Sequence, residues 1–107
     1  MSDDAMVSVL AELERFLRVR KYYGHADVVE RAIDLHSSDR SAFVEFVQGG
    51  SFWGGSGAVW EIGIAEFRDE FWRLIVRVAG VMEASGIGTP RSRDIGVILE
   101  HWIRSAV

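Results

Sequence analysis

Along the first segment, apolar side chains recur at Met6, Val9, Leu10, Leu13, Phe16 and Leu17. That is the i, i+3, i+4, i+7 stripe of an amphipathic helix held for about three turns. Asp3 or Asp4 is placed to cap its N-terminus, and Arg18, Arg20 and Lys21 fall in its last turns, where the helix dipole favours cations. Glu14 and Arg18 form an i, i+4 pair in the favourable order. Tyr22-Tyr23-Gly24 is expected to end the helix, with Gly24 in the left-handed cap.

A second helix is predicted from about His25 to Leu35, burying Val29, Ala32 and Ile33. The polar turn His36-Ser37-Ser38-Asp39 ends in residues suited to capping a third helix, from about Arg40 to Gln48, with Phe43, Phe46 and Val47 inward. The long central helix should run from about Glu66 to Ala84. Its stripe is Phe67, Phe71, Leu74, Ile75, Val78 and Met82, widened on the flank by Trp72, Val76 and Ala79, an arc broad enough for more than one neighbour. Gly80 weakens that helix by about 1 kcal/mol relative to alanine unless a neighbour needs the close approach. Ser85-Gly86-Ile87-Gly88 ends it, and Thr89-Pro90 supplies a cap and a first-turn proline for a last helix. Ile95, Ile98, Leu99, Trp102 and Ile103 form the last stripe, and Leu13, Phe16, Leu74, Ile75 and Ile98 are candidate core residues.

The helical period fails between residues 49 and 65. Gly49, Gly50, Gly54, Gly55 and Gly57 surround Ser51, Phe52, Trp53 and Ser56, after which Trp60, Ile62 and Ile64 alternate with Glu61 and Gly63. A short strand, a helical turn and an extended packed loop all fit, although a lone strand has no partner elsewhere in the chain. The pattern as a whole predicts an all-α, single-domain bundle of four or five helices over residues 1–107, with a central glycine-aromatic loop.

Composition narrows the function. Hydrophobic residues are 49% and charged residues 26%, a globular balance. No apolar run approaches the roughly 18 residues of a membrane span, and the acidic start Met1-Ser2-Asp3-Asp4 is unlike a secretory signal, so a cytoplasmic protein is expected. The absence of cysteine removes disulfides, zinc-thiolate sites and thiol nucleophiles. The net charge of −4 argues against binding to phosphate backbones or anionic lipid. Eleven of the twelve cations are arginine, but acids interleave with them throughout, so no concentrated nucleic-acid patch is expected.

The glycine loop is the segment that packing explains least. Backbone N–H groups in such a loop can hold an anion, but the Lys-Ser or Lys-Thr of a phosphate loop is missing and no βαβ unit surrounds it. The structural alternative is a tight turn that packs Phe52, Trp53 and Trp60 on the end of the bundle. His25, His36 and His101 lack metal-binding spacing, so neither a metal nor a cofactor is expected. The pairs His25–Glu61 and His101–Glu100 are the remaining acid/base arrangements, without a marked nucleophile; Gly54-Gly55-Ser56-Gly57 lacks the spacing of a nucleophile elbow. Asp27, Glu30 and Asp34 share one face of the second helix, partly neutralised by Arg31, and Glu66, Asp69 and Glu70 open the central helix. Both groups are ordinary solvated faces in one reading and docking surfaces for a basic partner in the other.

The run over residues 44–62, Val-Glu-Phe-Val-Gln-Gly-Gly-Ser-Phe-Trp-Gly-Gly-Ser-Gly-Ala-Val-Trp-Glu-Ile, resembles a signature of small uncharacterised bacterial helical proteins. These have a leucine-rich first helix, a short turn with aspartate, and an aromatic-Gly-Gly-x-Gly motif. Phe16-Leu17, Ala26, Ala32, Asp39 and Trp53-Gly54-Gly55-Ser56-Gly57 occupy the matching places. In general character the chain is also similar to the immunity proteins of contact-dependent and other polymorphic toxin systems, which are cytoplasmic, often acidic, and neutralise a toxin by binding it. The likeness implies a non-enzymatic partner of a cognate toxin, a nuclease being one such class. Asp27, Glu30, Asp34, Glu66, Asp69 and Glu70 would then steer the partner, and Trp53 or Trp60 would be the aromatic anchor. The competing expectations are a small-molecule or anion-binding domain using the glycine loop, and an enzyme using His25 or His101 beside a carboxylate.

Overall fold

The structure, a computed structural model, describes residues 2–54, 58–61 and 66–105, with the backbone alone at 2–4 and 61. They form α1 (Ser2–Val19), α2 (Tyr23–Ser38), α3 (Arg40–Gln48), a single turn α4 (Gly50–Trp53), α5 (Arg68–Ala84) and α6 (Pro90–Ser105), with a 3₁₀ turn at Val59–Glu61. No strand occurs among the described residues, and the expected all-α bundle is observed.

α1 lies between α2 and α5, and α5 lies between α1 and α6. α3 packs on α2 and α4 on α6, so the middle of the chain bridges the two outer helices. The predicted stripe of α1 is buried from Met6 to Leu17, and it meets Phe71, Leu74, Ile75, Val78 and Met82 of α5 in one core. Phe16 stacks on Phe71 with ring centroids 5.9 Å apart. Glu12 pairs with Arg77 and Arg20 with Glu70, so α1 and α5 run antiparallel.

The helix ends show where local chemistry sets the boundaries. α1 begins at Ser2, ahead of both aspartates expected to cap it. At its C-terminus Lys21, not Gly24, takes the left-handed conformation (φ 68°), and the Tyr22 N–H donates to the Leu17 carbonyl at 2.9 Å. This closing motif places an apolar contact at the residue after the left-handed one, here Tyr22, which packs against the core. α2 therefore starts early, at Tyr23, and continues past Leu35 to Ser38. Asp39 caps α3 as expected, its carboxylate accepting from the Ala42 N–H at 3.1 Å. Gly86 repeats the left-handed stop at the end of α5 (φ 78°), with the Ile87 N–H on the Met82 carbonyl. Thr89 and the buried Ser92 then exchange side chain-to-backbone bonds at 3.0 and 2.9 Å, a reciprocal cap for α6.

Two apolar assignments are corrected. α5 starts at Arg68, and Phe67, left-handed and 53% exposed, lies outside the core. The Arg20 guanidinium lies over its ring, 4.3 Å from the centroid, and also over the Phe16 ring at 3.7 Å. On α6 the inward line is Ser92, Ile95, Gly96, Leu99 and Ile103, which leaves Ile98 42% and Trp102 44% exposed. The close approach of the helices sets this line: a Cβ on Gly96 would lie 3.3 Å from that of Ala79. Trp102 turns to the flank and meets Trp72 at 5.4 Å.

Gly80 has no such constraint, since a Cβ there meets nothing within 4 Å. Two substitutions of opposite kind, Lys21→Gly and Gly80→Ala, are therefore expected each to raise stability by about 0.5–1 kcal/mol in urea unfolding. Thr89→Ala should lower it by about 1 kcal/mol in the same assay.

Candidate functional site

Part of the glycine-aromatic segment is regular structure. Gly50–Trp53 is a helical turn set off from α3 by the extended Gly49, and Phe52 and Trp53 are buried, Trp53 to 2% exposure. The Trp53 indole N–H donates to the Val47 carbonyl at 2.8 Å, and the Trp60 indole to the Gly54 carbonyl at 2.9 Å. Arg91 of α6 donates to the Trp53 carbonyl at 2.8 Å and lies over the Trp60 ring. A Cβ on Gly54 would fall 2.6 Å from the Gly50 carbonyl oxygen that accepts the Gly54 N–H, so the end of this turn closes too tightly for a side chain. The N–H groups of Gly49, Phe52, Trp53 and Gly54 are all engaged within this segment. Gly50 is open to solvent, and Gly55 and Gly57 lie outside the described residues. Trp53 is thereby corrected from a surface anchor to a core residue, and Trp60 is held half-buried by its own hydrogen bond.

Of the acidic row on α2, Asp27, Glu30 and Asp34 are all exposed. Its neutralising partner is Arg18 of α1 and not Arg31: Arg18 reaches Glu14 at 2.7 Å, Asp27 at 3.1 Å and Glu30 at 3.5 Å. The hydrogen bond to Glu14 raises the Arg18 pKa further, fixing its positive charge. Arg31 instead lies near the Phe46 ring. The Asp34 carboxylate has no partner among the described residues. The second acidic group is dispersed: Glu66 precedes α5, Asp69 is half-buried beside Arg68 at 3.7 Å, and Glu70 pairs with Arg20 at 3.2 Å.

A feature absent from the sequence expectations lies on the other side of α1. Glu12, Arg15 and Val19 form one i, i+3, i+7 line, and Glu70, Arg73 and Arg77 form another on α5. They face each other across an open groove of about 520 Å³ floored by Phe16 and Leu74. The ion pairs Glu12–Arg77 and Arg20–Glu70 bracket it, while Arg15 and Arg73 have no partner among the described residues. Arg73 and Arg77 also line the neighbouring α5–α6 groove with Glu100 and Arg104. The helical spacing of these arginines was visible, but the pairing of α1 with α5 was not.

His25 and His36 stand at opposite ends of α2, and His101 is exposed on α6. Neither His25 nor His101 hydrogen-bonds a carboxylate among the described residues, and the Glu61 side chain lies outside them. The described residues contain no group of three histidines or carboxylates placed to hold a metal ion. Among them, no helix is long and apolar enough to cross a membrane. A comparison of the chain with protein-family models, curated proteins and solved structures found no match.

The two tryptophans differ enough in environment to separate core from surface. Trp53→Ala should cost about 3–5 kcal/mol of unfolding free energy. Trp102→Ala, which loses mainly its contact with Trp72, should cost less than about 1.5 kcal/mol.

Proposed function

We propose that this chain is a binding protein, and within that class an immunity protein that holds a cognate bacterial toxin inactive. The observation that carries the reading is the exposed carboxylate row Asp27, Glu30 and Asp34 along α2, together with the burial of the aromatic side chains of the glycine segment. The row offers negative charge on a rigid helix face, positioned by Val29 and Ala32 in the core behind it. A nuclease toxin suits such a face, because a site that holds phosphates is cationic, and a carboxylate row blocks it while speeding encounter. Arg18 ties Asp27 and Glu30 to α1, which fixes their direction and leaves Asp34 as the freest charge. With Trp53 inside, Trp102 is the most exposed of the four tryptophans and the one open to a desolvated contact. Inhibition by this route is steric: the partner's substrate is excluded, and the chain performs no chemistry of its own.

The test is co-expression with the protein encoded by the adjacent gene. The expected result is protection of growth and a stable complex on size exclusion. Asp27→Lys with Asp34→Lys should slow association about tenfold or more and flatten its dependence on salt. Absence of both complex and protection would overturn the reading.

A further inference from the structure

We infer that the α1–α5 groove is a second binding surface, one that accepts an acidic amphipathic helix of a partner protein. This does not rest on the immunity reading, because the carboxylate row lies on α2 and the groove on the opposite flank of α1.

The groove is built from two antiparallel walls. Glu12–Arg77 and Arg20–Glu70 satisfy the charges at its ends. Between them stand Arg15 on one wall and Arg73 on the other, both exposed and both without a carboxylate among the described residues. Beneath lie Phe16 and Leu74, both less than a tenth exposed, so the open apolar surface of the groove is chiefly Val19, 69% exposed. An occupant must therefore present a strip of apolar side chains to Val19 at the mouth of the groove and carboxylates on both flanks of that strip. An amphipathic helix with acidic residues bordering its apolar face has this pattern, and the trough between two packed helices suits a third. A nucleic acid fits less well. Glu12 and Glu70 interrupt the cationic track at both ends, and the floor offers aliphatic and aromatic carbon where a phosphate chain needs continuous positive charge.

The probe is a fluorescein-labelled peptide of about five helical turns, with a leucine stripe flanked by glutamates, measured by fluorescence anisotropy against the whole chain. A scrambled peptide of the same composition is the control. The designed peptide should bind and the scrambled one should bind more weakly. Arg15→Glu with Arg73→Glu should weaken the designed peptide at least about tenfold, while Asp27→Lys with Asp34→Lys should not weaken it. Arg15→Gln with Arg73→Gln, which removes the charge but keeps a polar side chain and is checked for an unchanged melting curve, should give an intermediate loss. Equal binding of the two peptides, or unchanged binding by the arginine variants, would overturn the inference. So would tighter binding of a single-stranded oligonucleotide. So too would a molar mass that rises to a dimer with concentration and returns to monomer in the Arg15→Glu, Arg73→Glu variant, since a second copy would then be the occupant.

Discussion

The fold depends on the seam between α1 and α5. Each helix gives this seam a stripe too broad for one neighbour, and the surplus on either side attaches α2 to α1 and α6 to α5. The strength lies inside, where Leu13, Phe16 and Leu17 meet Phe71, Ile75 and Val78, each buried side chain contributing about 1.5–3 kcal/mol. The ion pairs along its outer lip are exposed, and pairs of that kind contribute little to stability. Their effect is on register and on surface pattern. They match the antiparallel alignment that the packed core sets and neutralise four charges, which leaves Arg15 and Arg73 standing between them.

The glycine segment solves a different problem. Once α1, α2, α5 and α6 lie side by side, the chain must pass from α2 to α5 by way of α3 and of α4, which touches α6, and Phe43, Phe52, Trp53 and Val59 join the core along that passage. Buried indoles need acceptors for their N–H groups, and the available ones are backbone carbonyls close in sequence: Val47 for Trp53 and Gly54 for Trp60. Reaching them requires backbone to pass close to backbone at Gly54, where a side chain would collide with Gly50. Arg91 then fastens the turn to α6 through the Trp53 carbonyl. Glycines and tryptophans therefore occur together here because one makes room for the hydrogen bonds of the other.

The helices and most of the core were legible in the sequence because burial on a helix repeats with a fixed period. What was not legible depends on contacts between distant residues. Gly24 looked like the natural left-handed stop, yet Lys21 takes that place so that Tyr22 can pack on the core. Phe67 continued the stripe of α5 on paper, but Arg20, some fifty positions away, draws its ring outside the core. Ile98 and Trp102 belonged to a plausible stripe until the contact of Gly96 with Ala79 rotated α6 by a flank. For the candidate site, helical spacing was enough to place Asp27, Glu30 and Asp34 on one exposed face, whereas the exchange of Arg31 for Arg18 as their partner depends on the packing of α1 against α2. Arg15 and Arg73, 58 positions apart, become neighbours only through the pairing of two helices, and interleaved acids in the linear sequence concealed them.

This concealment changes what the net charge means. A value of −4 suggests a uniformly acidic exterior, whereas the fold sorts charge to either side of one helix. Glu14 and Arg18 of α1 face the carboxylates of α2; Glu12 and Arg15 face the arginines of α5. A partner lying across α1 meets negative potential on one flank and positive on the other, separated by about one helix diameter of 10 Å. A uniformly basic partner is attracted to the first flank and repelled by the second. A partner with the opposite two-sided pattern gains on both. Like-charge contact costs more than an exposed pair gains, so a protein docking across α1 would be selected by rejection and oriented by the flank it must avoid.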